Sequence, residues 1–441
     1  MFDLLKHPVF ARLFSAQVIA LIGTGLLTVA LGLLAYDLAE EMAGAVLGAA
    51  LTIKMVAYVG LAPVVQAFAQ HVPRKWVLVG ADVVRGVIAL SLPFVTEIWQ
   101  IYVLIFVLQA ASATFTPAFQ ATIPDVLTDE AQYTRALSLS RLAYDVENLA
   151  SPVIAGLLLT VVSYNWLFMG TVLGFAASAV LILVAALPPQ TPSKERPFRE
   201  RLTRGVRIYL ATPRLRGLLA LNLLAAASSG YVFVNTVVVV RGVFGGSESD
   251  LAIALAAFGA GSMVMALMLP RLLETKSDRP VMLYGGLGLG LLSLALGFGL
   301  TANMSWAVFL IGWAGLGLLY SSILTPAGRL LRRSAHAEDR PAIFAAQFAL
   351  SHACYLICYP LAGWVGVVLG LGASLMLMGA IALLSAIAAM RLWPADSGGE
   401  IAHSHPDLPP DHPHLRAHEA KATHAHDFVI DDEHRAWPAR G

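Results

Sequence analysis

The chain predicts an all-α membrane protein, with twelve transmembrane helices in two pseudo-symmetric six-helix bundles. Three observations carry that prediction. Of 441 residues, 58% are hydrophobic and only 13% charged, a balance suited to lipid rather than water. Twelve apolar runs are long enough to cross a hydrocarbon core about 30 Å thick. Basic residues collect in every second loop between them.

The runs lie at 13–38, 44–68, 76–96, 98–121, 136–161 and 164–188, then at 215–241, 250–272, 280–300, 305–327, 341–363 and 366–391. They divide the chain into a first bundle (1–188), a linker (189–213), a second bundle (214–393) and a tail (394–441). Lys6 and Arg12 precede an apolar stretch too long for a signal peptide, so an uncleaved first span is expected. Arg74 and Lys75, Arg135, the eight basic residues from Lys194 to Arg216, Arg271 with Lys276 and Arg279, and Arg329 through Arg340 mark one side as cytoplasmic. An even number of spans then places both termini there. Phe198, Leu202, Val206 and Tyr209 recur at helical spacing among the linker arginines, which suits either a short helix on an anionic leaflet or a solvated linker.

The 29 basic and 28 acidic residues are dispersed, which argues against a nucleic-acid partner. Cys354 and Cys358 sit in one apolar run and form no disulfide framework. No phosphate-binding Gly-rich loop with its lysine occurs. Neither an enzyme nor an ATP-driven pump is expected, nor a permanently bound cofactor. Ion-coupled secondary transport by a monomer is.

Thr116-Pro117-Ala118 recurs as Thr325-Pro326-Ala327, Asp129-Glu130 as Glu338-Asp339, and Pro152 with Gly156 as Pro360 with Gly363, all about 208 residues apart. With this internal repeat the chain resembles the major facilitator superfamily over residues 1 to about 391. The family's loop motif between spans two and three is matched in part: Pro73, Arg74 and Lys75 fit, but Gln66 and Gln70 stand where the family favours Gly and Asp. Asp278, Arg279 and Pro280 form a faint second copy. Ser151 through Gly156 resembles the exporter motif of this superfamily, echoed at Pro360 through Gly363; an ordinary proline kink with small packing residues is the plainer reading.

An ionisable group at bilayer depth costs at least about 2.5 kcal/mol, which makes each one a candidate for proton coupling or translocation. Lys54 in span two could be neutralised by Asp145 or Glu147 in span five, as a coupling site or a fixed structural pair. Asp82 and Arg85, three apart in span three, share a helical face and can neutralise each other. His352 in span eleven can relay a proton or merely be hydrogen-bonded.

Eight of twelve histidines fall in the last 41 residues: His403, His405, His412, His414, His418, His424, His426 and His434. Prolines and acids among them argue against a packed fold, so a disordered tail is expected. Neutral imidazole binds nickel, cobalt, zinc or copper(II), with Asp407, Asp411 or Asp427 as further oxygen ligands. This core with a histidine-rich cytoplasmic tail resembles the nickel-resistance exporters of bacteria, some of which also move cobalt. That resemblance implies proton-coupled nickel efflux across the bacterial inner membrane. The alternatives are an exporter of amphipathic compounds, macrolide- or siderophore-like, with the tail incidental, and a metal sensor that transports nothing.

Overall fold

The structure, a computed structural model, describes residues 2–39, 43–69, 72–189, 197–395, 400–404, 409, 415 and 423–438. The helices α1 (Pro8–Ala39), α2 (Ala43–Ala69), α3 (Arg74–Ser91), α4 (Ile98–Val126), α5 (Glu130–Leu159) and α6 (Asn165–Val184) precede a linker helix, α7 (Phe198–Ala211). After it come α8 (Pro213–Val238), α9 (Glu248–Thr275), α10 (Asp278–Thr301), α11 (Trp306–Leu324), the short α12 (Ala327–Arg333), α13 (Arg340–Leu369) and α14 (Leu371–Leu392). Two antiparallel strands, β1 (Glu400–Ser404) and β2 (Thr423–Asp427), close the described chain.

Twelve of these helices match the twelve apolar runs. Among the described residues, eleven are long and apolar enough to cross a membrane. The twelfth, α5, has the length but carries Arg135, Arg141, Asp145 and Glu147. Helix ends follow local chemistry: the Asp129 carboxylate accepts from Gln132 N at 2.8 Å to cap α5, and Ser247 with Asp250 forms a capping box on α9. The last break falls at Gly370, later than the sequence suggests. Its φ of +91° is open to glycine and strained for other residues, so α13 runs through Gly363 before the chain turns.

Close backbone approach holds the bundles. A Cβ on Gly261 would stand 1.8 Å from the Ala314 carbonyl oxygen, and one on Gly317 would stand 1.8 Å from that of Phe258. Without water to drive association, such contacts supply the dispersion energy that joins α9 to α11. In the first bundle Thr171 Oγ1 donates to Gly23 O at 2.8 Å, tying α6 to α1.

The two bundles meet most firmly at the basic-loop end. Asp125, at the end of α4, takes Arg340 of α13 on Oδ1 at 2.9 Å and Arg74 of α3 on Oδ2. Conversely, Arg329 and Arg333 sit between Asp278 (2.9 and 3.0 Å) and Glu130 of α5. Tyr133 donates to Gly328 O at 3.2 Å. Gln70, whose identity spoke against a carboxylate latch in this loop, lies outside the described residues. Here the loop contributes the cation Arg74, and α4 contributes the carboxylate.

The apolar spacing in the linker is realised, and its partner is protein. Tyr209 is buried and donates to Gln347 Oε1 at 2.5 Å, while Phe198 packs on Phe68 of α2. Arg204 forms a forked pair with Asp339 (2.5 and 2.6 Å) and reaches Asp432 of the tail at 2.9 Å. The described stretches of the tail pair with each other and dock on the helices. β1 and β2 pair in register, Phe428 and Ile430 are buried, and Phe428 stacks edge-on against Trp437. The physical reason is an apolar segment, Phe428-Val429-Ile430, flanked by the acids Asp431 and Asp432, which find His336 and Arg204. Burial opposes charge on Asp431, but hydrogen bonds from His336 and His434 outweigh it and hold that carboxyl well below its usual range.

Two outcomes follow from this packing. Gly261→Ala and Gly317→Ala should each cost about 1 to 3 kcal/mol, read as a lowered thermal midpoint. Gly60→Ala, whose Cβ would meet nothing within 4 Å among the described residues, should be neutral or slightly stabilising. Equal midpoints for all three would remove the α9–α11 approach as a constraint. Asp125→Asn leaves Arg74 and Arg340 facing each other, at about 2 to 5 kcal/mol. Spin labels on α4 and α13 should therefore report a wider distance distribution at the basic-loop end, and an unchanged distribution would contradict the latch.

Candidate functional site

Halfway along the helices, a belt of charged and aromatic side chains lies between the two bundles. At 1.5 Å per residue, Lys54, Arg141, Asp145, Glu147 and His352 stand roughly 16 to 25 Å from the basic-loop ends of their helices. Arg141 of α5 pairs with Asp145 one turn on, Nη2 to Oδ1 2.9 Å. It also crosses to the second bundle, donating from Nε to Ser262 Oγ of α9 at 3.0 Å, with its guanidinium 4.9 Å from the Tyr320 ring. Tyr320 and Ser229 each share a hydrogen bond of 3.0 Å with the Tyr355 hydroxyl.

A second crossing joins α2 to α13. The Lys54 ammonium lies 5.5 Å from the centroid of Tyr58, and that ring packs edge-on against His352 with centroids 4.8 Å apart. His352 Nδ1 is hydrogen-bonded to Phe348 O at 2.7 Å, and since a carbonyl only accepts, Nδ1 carries hydrogen. Phe348 closes the cluster against both Tyr58 and His352.

The expected pairing of Lys54 is thus only half realised. Asp145 belongs to Arg141 instead. Lys54 acts through space on Glu147 and His352, but no ion pair within 4.0 Å joins it to Glu147. Glu147 packs beside Gly25 of α1, where an added Cβ would meet Ser151 Oγ at 2.0 Å and Glu147 Oε1 at 3.1 Å. The second Asp145 oxygen, Oδ2, is buried without a hydrogen-bond partner among the described residues. Such an acceptor is satisfied by a proton or by a donor brought in with a ligand.

Asp82 and Arg85 form a pin inside the first bundle. They pair with each other, Ser178 donates to Asp82 at 2.7 Å, and the Arg85 guanidinium lies between Phe115 (4.2 Å) and Phe175 (4.5 Å). The motif residues Pro152 and Gly156 lie in the outer part of α5, Pro360 and Gly363 in that of α13. Among the described residues, a Cβ on Gly156 would meet nothing within 4 Å and one on Gly363 would meet Val234 at 3.4 Å, an ordinary contact. Cys354 and Cys358 are buried and free, the latter against Gly230. Sequence reasoning missed Arg141, Tyr58, Tyr320 and Tyr355. For Arg141 a signal existed, its place four residues before Asp145 on one helical face.

The tail brings His403, His424 and His426 together, with their ligand nitrogens within 4.8 Å of one another. His434 joins them, its Nε2 3.0 Å from that of His403. His405, His412, His414 and His418 lie outside the described residues, as do Asp407, Asp411 and the side chain of Asp427.

Comparison with known proteins agrees with this architecture. The model of the Major Facilitator Superfamily matches residues 13–245 and 218–426. Macrolide efflux protein A of Streptococcus pyogenes is 23% identical over 334 residues, 72% of this chain and 80% of that protein. The protein of the same name from Enterococcus faecalis is 23% identical over 61% of this chain and 85% of its own length. Among solved structures, the human organic anion transporter MFSD10 (TETRAN) superposes with a TM-score of 0.76 at 12% identity, covering 87% of this chain and 99% of that one. The E. coli fucose:proton symporter FucP gives 0.67 at 15% identity over 86% and 98%. The resemblance to nickel-resistance exporters finds no support among these relatives. With twelve long helices, a polar belt between two bundles and a family match along nearly the whole chain, this protein belongs to the Major Facilitator Superfamily and is a multi-pass membrane transporter.

Proposed function

We propose that the chain exports an amphipathic organic compound of macrolide type from the cytoplasm of a bacterium, in exchange for protons, with both termini on the cytoplasmic side. The observation that carries this reading is the belt between the bundles. Tyr58, Tyr320 and Tyr355 offer broad apolar faces with polar tips, Phe348 offers a wholly apolar one, and Arg141–Asp145 with Lys54 and Glu147 offers charges that a proton can rebalance. The names of the curated relatives point the same way.

Nickel export retains one observation in its favour, the histidine cluster of the tail. The path between the bundles suits a divalent cation poorly. It holds the fixed cations Lys54 and Arg141, and among the described residues no group of three metal-ligating side chains lies within the helices. Metal chemistry therefore belongs to the tail, and the proton to α5. There the buried Asp145 Oδ2 is one place to carry it, and the Glu147 carboxyl beside Lys54 is the other.

Proteoliposomes with an imposed pH gradient separate these assignments. Asp145→Asn strands Arg141 at bilayer depth, at about 3 to 5 kcal/mol, and should abolish gradient-driven export of a labelled macrolide. Glu147→Gln should uncouple flux from the gradient while substrate still exchanges across the membrane. Undiminished driven flux in both variants would move the proton to His352. Nickel flux with no macrolide flux in the unmodified protein would reverse the choice of substrate.

A further inference from the structure

The hairpin of the tail places its histidines with more order than their spacing in the sequence implies. The register sets His403 directly opposite His424, and His426 follows two residues along β2, so three imidazoles emerge on one face. His434 arrives from the docked segment beyond β2 and is buried. Phe428 walls the group, with its ring 5.0 Å from His403 and 4.7 Å from His434.

Hydrogen bonds to acceptors decide the tautomers. His403 Nδ1 faces the Ile401 carbonyl oxygen at 2.8 Å, and His434 Nδ1 faces the Asp431 carboxylate at 2.8 Å. Neither oxygen can donate, so both Nδ1 atoms carry hydrogen. The two Nε2 atoms then face each other at 3.0 Å, a gap that a shared proton or a bound metal cation fills. Nitrogens bound about 2.0 to 2.1 Å from one tetrahedral ion stand about 3.3 Å apart, close to the spacing found. A carboxylate or carbonyl behind each ligating ring is also the usual support of a metal-bound histidine.

We propose that His403, His424, His426 and His434 bind one divalent transition-metal ion of the imidazole-preferring class, zinc(II) or nickel(II), and that this ion clamps the tail onto the latch at the basic-loop end. The connection is continuous. His434 is bonded to Asp431, Asp431 to His336 at 3.2 Å, and the adjacent Asp432 to Arg204 of α7. Arg204 holds Asp339, the residue before the latch cation Arg340. An ion that joins the hairpin to His434 therefore stabilises the docked tail, and through it the seat of α7 on α13. This site is independent of the exported compound.

The test uses the full chain in lipid nanodiscs, stripped with chelator and titrated calorimetrically with zinc(II), nickel(II) and, as a control, magnesium. One zinc or nickel ion per chain should bind saturably and magnesium should not. At free metal 100 times Kd, opening of residues 423–438 should slow by about 100-fold in hydrogen exchange, with slower exchange in α7 as well. His403→Ala/His424→Ala should lose the saturable site, and His434→Gln alone should weaken it. His336→Ala/Asp432→Asn keeps all four imidazoles, so it should retain binding and hairpin protection while losing the effect on α7. Failure of the unmodified chain to bind either ion, or undiminished binding by the histidine double variant, would overturn the site. Metal-induced protection of α7 that is absent from the unmodified chain, or persists in the anchor variant, would overturn the clamp.

Discussion

At the basic-loop end each bundle presents charges that the other must neutralise, and the rest of the molecule is arranged around that exchange. One triad runs cation, anion, cation, from Arg74 through Asp125 to Arg340. A second cluster of four sets two cations between two anions, Arg329 and Arg333 between Asp278 and Glu130. Asp125 and Arg333 stand 208 positions apart, the offset of the internal repeat. At these corresponding positions the two halves therefore carry charges of opposite sign.

Closure at that end determines what the middle can be. At half depth, away from these ion pairs, the charges of the belt must be balanced from within. Arg141 does this by pairing along its own helix with Asp145 while donating across the gap to Ser262. Lys54 is balanced more loosely, through space, with the Tyr58 ring beneath it and Glu147 beyond contact distance. A tight pair and a loose one in the same belt suit different tasks. The first joins the bundles, and the second leaves Lys54 and Glu147 without a direct bond to each other.

The linker and tail extend this logic outside the bilayer. Arg204 would be an expensive burial alone, but the forked bond to Asp339 and the further bond to Asp432 make it a junction among α7, α13 and the tail. The acids Asp431 and Asp432 thus dock the segment whose His434 completes the imidazole cluster. Chemistry at the histidines and geometry at the latch share one short chain of contacts.

How much of this was legible in the amino acids varies with the range of the interaction. Twelve spans, their alternating loops and the repeat follow from hydropathy and charge, because a bilayer imposes one length and one solvent on every segment regardless of its neighbours. Asp82 with Arg85 was legible too, since three residues along a helix settle who faces whom. The partner of Asp145 was within reach of the same rule, yet Lys54 in another helix competed for it, and spacing cannot measure distance between helices. Asp125 drew no notice because its partners lie 51 and 215 residues away. The tail histidines were legible as candidate ligands, but that His403 faces His424 and meets His434 depends on strand register and on a docked segment. By itself the sequence determined the elements, their solvent and the residue types at stake. Only the tertiary structure decided which charges and imidazoles meet, because those meetings depend on relative positions that no local rule encodes.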